Sequence, residues 1–194
     1  MRWLTLYARS RQVPATLAVL LAGAAAMWAL TRAFSEGDGG PADPRLSALA
    51  LTVAAMAVSV GLGGQDPALD RTAALAWIPR RAAHLALGGV LAGAVLLGVQ
   101  VLSGQETSVG LVVRDAAGLM GLVGLGAAWC GRQYAWLPAF AWLAVSFVVP
   151  PSPDGATQVL TWMLSAPEAP GAAWTAGVLG AGGLVAYGVG GVRR

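Results

Sequence analysis

The sequence contains no lysine, and all twelve of its cationic residues are arginine. That absence excludes a phosphate-loop lysine, a Schiff-base lysine and a Ser-Lys dyad. Histidine occurs once, as His84, so neither an HExxH site nor a histidine cluster for metal can be assembled. Cysteine also occurs once, as Cys130, which rules out an internal disulfide. There is no GxSxG, and no serine has the setting of an intramembrane serine protease. Charged residues make up only 11% of the chain, against about a quarter in a soluble domain. The net charge is +3, but the arginines sit in short loops between apolar runs. They form no basic stripe with interleaved aromatics, so a nucleic-acid partner is excluded.

Apolar side chains and glycine fill the space that charge leaves. Of 194 residues, 57% are hydrophobic and 27 are glycine. Such a chain has too little polar surface to cover a core in water. A bilayer removes that requirement, and membrane helices tolerate glycine because it permits close helix approach. The expected fold class is all-α: a polytopic membrane protein of about six spans forming a single transmembrane domain over residues 1–194.

A crossing helix needs roughly 20 apolar residues to cover about 30 Å of hydrocarbon. The expected spans are about 14–30, 46–62, 82–102, 109–130, 134–149 and 172–192. The first run follows Arg2, Arg9 and Arg11, as a signal peptide also would. It is long, however, and no small-residue cleavage site follows it before Arg32. Residues 35–43 (SEGDGGPAD) read as a loop. The segment 156–166 (ATQVLTWMLSA) is apolar but half the length needed to cross, which points to an interfacial or re-entrant helix.

Arginine bias sets the expected orientation. With both termini cytoplasmic, nine arginines fall inside: Arg2, Arg9, Arg11, Arg71, Arg80, Arg81, Arg132, Arg193 and Arg194. Arg32 and Arg45 fall outside, with Arg114 near the outer edge. Trp3, Trp28, Trp136 and Trp174 lie near span ends, as an interfacial belt requires.

Four features are candidates for function. Asp66-Pro67 can cap and open a short cytoplasmic helix over 67–78, ended before Pro79. It carries Leu69, Asp70, Arg71, Thr72 and Trp77, and reads either as a surface linker or as a docking helix for a cytoplasmic subunit. Arg114 and Asp115 are costly charges in an apolar run. Neighbours on a helix project about 100° apart, so a face-to-face pair is not expected. Each is expected to find another partner, or both to lie at the outer interface and snorkel; a role in positioning an outer gate is the sharper alternative. Gly89 and Gly93 form a GxxxG pair, while Gly118 and Gly121 share a sector of the fourth span. Both sets suit close packing, within this chain or against another. His84, beside Arg80-Arg81, reads as an interfacial side chain.

Three stretches resemble the six-span permease subunits of type-two ABC transporters, in an actinobacterial subgroup. One is LDRTAALAWIPRRAAHL (69–85), placed where that family holds its coupling helix. The second is RDAAGLMGLVGLGAAWCGRQYAWLP (114–138), like the family's fourth span, Gly-Arg turn and Ala-Trp-Leu-Pro opening of the fifth. The third is the half-length segment after Pro150-Pro151, where these permeases place short re-entrant helices on the outer side. One departure is that many family members open with a longer amphipathic surface helix than Met1–Val13 provides.

The resemblance implies a non-enzymatic transport subunit in a bacterial plasma membrane; lysine-free, Ala/Gly/Arg-rich usage matches a high-GC bacterial genome. It implies two copies of a cytoplasmic ATP-binding subunit, with ATP and Mg bound there and no cofactor on this chain. It implies a second permease, identical or homologous, and export of a hydrophobic or amphipathic cargo. The alternatives are a non-transport scaffold or immunity protein, and the substrate-binding membrane subunit of a vitamin importer.

Overall fold

The computed structural model describes residues 13–34, 40–62, 77–106, 108–150, 152 and 154–193. Among these the chain is helical, apart from an isolated bridge between Pro41 and Glu106. In order, the helices are α1 (Val13–Phe34), α2 (Pro44–Val60), α3 (Trp77–Leu102), α4 (Val109–Trp129), α5 (Leu137–Val148), α6 (Gly155–Leu160) and α7 (Pro170–Gly190). Short 3-10 turns at Arg132–Tyr134 and Trp162–Leu164 precede α5 and follow α6.

Four helices, α1, α3, α4 and α7, are long and apolar enough to cross a membrane. By length and composition they are compatible with a membrane-embedded chain. The remaining two expected spans are shorter. Helix α2 has 17 residues and α5 has 12. At 1.5 Å per residue they reach about 26 and about 18 Å, less than the hydrocarbon thickness.

Local chemistry explains the boundaries. Asp43 caps α2 by accepting from the Arg45 amide at 2.8 Å, and Pro44 takes the first helical position. Ser108 caps α4 through the Leu111 amide. Pro170 opens α7, two residues before the expected start. Pro79 does not end a helix, contrary to expectation. It falls in the first turn of α3, where a proline's missing N–H is one of the groups left unpaired in any helix. Trp77 and Ile78 therefore begin α3, the second of the long helices.

Contacts between helix ends establish an alternating up-and-down order. The Pro41–Glu106 bridge joins the loop after α1 to the loop after α3. Thr16 Oγ1 donates to the Ala57 carbonyl, which ties the start of α1 to the end of α2. Tyr187 Oη donates to the Leu62 carbonyl at 2.7 Å, joining the ends of α7 and α2. The Arg193 amide donates to the Ala127 carbonyl at 3.0 Å, beside the end of α4. One end of the bundle thus carries Arg80, Arg81, Arg132 and Arg193. The other carries Asp43, Glu106, Asp154 and Glu168.

Helix α4 is the central strut, buried over most of its length. It meets α7 almost backbone to backbone. A Cβ on Gly183 would collide with the Gly121 carbonyl, and one on Gly121 with the Leu179 carbonyl. A Cβ on Gly124 would lie 2.7 Å from the Gly183 carbonyl oxygen. Gly89 and Gly93 face α4 through Met120, Val112 and Ala116. All four expected packing glycines therefore pack within this chain.

Helix α1 touches the bundle through a narrow stripe of Leu20, Met27 and Thr31, and Leu17, Leu21, Trp28 and Leu30 stay exposed. Lipid solvates such a face without penalty, whereas in water it would be a large apolar patch. One interior polar pair bridges helices: Gln100 Nε2 donates to Ser47 Oγ at 3.0 Å.

Candidate functional site

Arg114 and Asp115 lie in the second turn of α4, at the carboxylate-rich end. The expectation that they would not pair is overturned. Arg114 Nε donates to Asp115 Oδ1 at 2.8 Å, with side chains only 8% and 0% exposed. The Cα–Cβ vectors do diverge, but the long arginine chain curls back and brings its fork to the carboxylate. The expectation of further partners holds for Arg114.

Those partners lie on the half-length segment between α5 and α7. Arg114 Nη1 donates to the Ala166 carbonyl at 2.9 Å. Nη2 donates to the Trp162 carbonyl at 2.9 Å and to the Ser165 carbonyl at 3.0 Å. A helix end leaves carbonyls unpaired, with a negative partial charge that attracts a cation. One guanidinium therefore closes the C-terminal side of the segment 155–166, with charge-assisted bonds. Helix α5 holds the same segment from its other side. Ser146 Oγ and Trp142 Nε1 both donate to the Leu160 carbonyl, at 2.8 and 3.2 Å.

Glycine makes room for this arrangement. The Trp162 ring lies on Gly118, where an added Cβ would come within 2.5 Å of it. Trp162 and Met163 are fully buried. The segment thus inserts Thr161, Trp162 and Met163 into the bundle, while α6 itself has no buried residue. Its Leu160, Trp162, Ser165 and Ala166 carbonyls accept from side chains of α4 and α5. Asp115 Oδ2 and Trp162 Nε1 are buried without a hydrogen-bond partner in the protein.

Chemically this is an anchor. It holds a broken helix against two longer ones and presents no nucleophile beside a base. Among the described residues no three His, Cys, Asp or Glu side chains gather where they could hold a metal ion. A separate apolar cleft of ≈ 540 Å³ opens between α3, α4 and α7, walled by residues such as Val90, Leu97, Val113, Met120 and Leu184.

The remaining expected site residues separate into two groups. Asp66, Leu69, Asp70, Arg71 and Thr72 lie outside the described residues. Trp77 is the first residue of α3, not part of a helix ending before Pro79. Trp142 and Ser146 were not singled out from sequence. A serine in the middle of an apolar run was the available signal, because a polar group there needs a partner.

No family model, no curated protein and no solved structure matches the chain.

Proposed function

We propose that this chain is the membrane subunit of an ATP-driven ABC transporter of the type-two permease kind, working with a separate cytoplasmic ATPase. One observation carries the reading: the broken segment 155–166, seated between α5 and α7 and gripped by Arg114 from α4. It lies at the bundle end opposite Arg80, Arg81, Arg132 and Arg193. In type-two permeases, short re-entrant helices occupy that place in the chain, on the outer side.

On this reading, α2 and α5 complete six spans, with the membrane thinned or the helices extended by their flanking turns. Six spans make one half of a transport unit, so two permeases and two ATPases assemble. ATP and Mg bind on the ATPase. The segment around Asp66, Leu69, Asp70, Arg71 and Thr72 docks on it and transmits its closure to the spans. The Arg114 anchor ties the outer segment to α4, so that a rocking motion of α4 moves the outer gate with it. The apolar walls of the cleft between α3, α4 and α7 favour a hydrophobic or amphipathic cargo.

Co-purification tests the reading. The tagged chain is extracted in mild detergent from its native host, and its partners are identified by mass spectrometry. A stoichiometric ATPase is expected. Its absence, under conditions that preserve a known ABC complex, transfers the weight to a scaffold or immunity protein.

A further inference from the structure

The arginine-rich end of the bundle holds a cluster that the transporter reading does not use. Arg81, in the second turn of α3, lays its guanidinium against Gly191, just past α7. A Cβ added there would sit 2.6 Å from Arg81 Nη1, and Gly191 has φ 67°. Two residues on, the Arg193 amide donates to the Ala127 carbonyl at 3.0 Å and its Nη1 to the Trp129 carbonyl at 3.2 Å. Gly131, at φ 85°, packs on the Arg193 carbonyl, and Arg132 follows directly. Three elements distant in sequence thus bring Arg81, Arg132 and Arg193 to one corner, with Arg80 beside them.

No carboxylate among the described residues pairs with these arginines. Asp43, Glu106, Asp154 and Glu168 lie at the opposite end, and Asp115 is committed to Arg114. Asp66 and Asp70 fall outside the described residues. Helix α3 adds to the imbalance, since no acidic residue occupies its first turn while Arg80 and Arg81 stand near its positive end. Gathering like charges here is unfavourable until an anion joins them. The corner also sits at the limit of the apolar helices, beside exposed Trp129 and Tyr134, the level at which aromatic side chains meet lipid headgroups.

We propose that Arg81, Arg132 and Arg193 form a binding site for a phosphate-bearing anion, the phosphodiester of an anionic lipid headgroup being the source their depth favours. Guanidinium forks match phosphate oxygens two at a time, which a lone ammonium cannot do. The proposal depends on membrane embedding and not on the identity of any ATPase.

The test uses the full chain in nanodiscs of phosphatidylcholine, alone or mixed with phosphatidylglycerol. Native mass spectrometry reads retained lipid, and thermal unfolding reads stabilisation. Wild-type protein is expected to retain phosphatidylglycerol over phosphatidylcholine. At the ordinary gain per arginine near an anionic surface, the triple variant Arg81→Gln, Arg132→Gln, Arg193→Gln retains it about 100-fold more weakly. Arg32→Gln with Arg45→Gln, at the opposite end, leaves retention unchanged. The triple lysine variant guards against misfolding: it keeps the charge, and its retention falls between the other two.

Inorganic phosphate added to phosphatidylcholine discs separates the two sources. Stabilisation that needs the three arginines supports the site and assigns it to soluble phosphate; none, with lipid retained, assigns it to lipid. Equal retention by the wild type and the triple glutamine variant overturns the proposal. So does a variant that keeps its lipid but loses a co-purifying protein, which makes the corner a protein-docking face.

Discussion

Arg114 bonds its own sequence neighbour Asp115 through Nε at 2.8 Å, while its two Nη atoms hold three carbonyls of a segment about fifty residues away. The carboxylate fixes the guanidinium in place, and the guanidinium fixes the broken helix. The buried charge thus has a mechanical consequence, because the segment 155–166 cannot leave the bundle without breaking the three carbonyl bonds of Arg114.

Arg114→Ala strands the Asp115 carboxylate in the interior. Breaking one side of a buried pair costs about 3–5 kcal/mol. The double variant Arg114→Ala, Asp115→Ala is expected to be less destabilised than Arg114→Ala alone, since no charge is left uncompensated. Thermal unfolding of the four proteins in detergent closes the cycle. A double variant worse than the single one would refute the pairing.

The α4–α7 contact admits no side chain at Gly121 or Gly183. Gly183→Ala is expected to cost about 1–3 kcal/mol or more, because backbone carbonyls cannot step aside as a flexible side chain can. Gly177→Ala and Gly182→Ala face open space and should stay within about 0.5 kcal/mol of the parent. The melting temperatures of these variants, compared pairwise, decide it.

Tyr187→Phe removes the hydroxyl that bonds the Leu62 carbonyl and leaves the ring in place. The expected loss is about 0.5–1.5 kcal/mol. Hydrogen exchange localises it: amides at the end of α2 should exchange faster while those at its start do not. Uniform change along α2 would show that the bond does not tie these ends together.

Cys130 is exposed at the arginine-rich end and is the chain's single thiol. If that end is cytoplasmic, a membrane-impermeant maleimide labels it in inverted vesicles and not in intact cells. A cysteine at Ser152, placed in a Cys130→Ala background, gives the reverse pattern. Labelling of both from one side would overturn the alternating order of spans.

The proposed docking role of the segment around Asp70 is tested through Asp70→Ala with Arg71→Ala. If the transporter reading holds, membrane insertion should be unchanged while stimulation of the co-purifying ATPase is lost. Full stimulation in the double variant removes the coupling assignment.

The limits of α4 and the start of α7 were legible because caps, prolines and arginines act locally. Ser108, Pro170 and the Gly131 turn lie where a reader of the sequence would place a stop or start. The α3 boundary was not, because Pro79 is compatible with either the end of one helix or the first turn of the next. Only the continuation of the chain selects between them. The Arg114–Asp115 pair was misread for a related reason. Helix geometry places Cβ atoms, but a four-torsion side chain reaches wherever the tertiary structure offers acceptors.

Composition alone pointed to a membrane: with 11% charge and 57% hydrophobic residues the chain has little polar surface to cover a core in water. The spacing of apolar runs determined where long helices form, since hydrogen bonds within a helix depend on near neighbours. The tertiary structure decided which glycines touch which backbone, and that Trp142, Ser146 and Arg114 converge on one broken segment. It also gathered Arg81, Arg132 and Arg193 at one corner. Those relationships depend on how helices rotate and cross, which is set by packing summed over the whole bundle and is written at no single position.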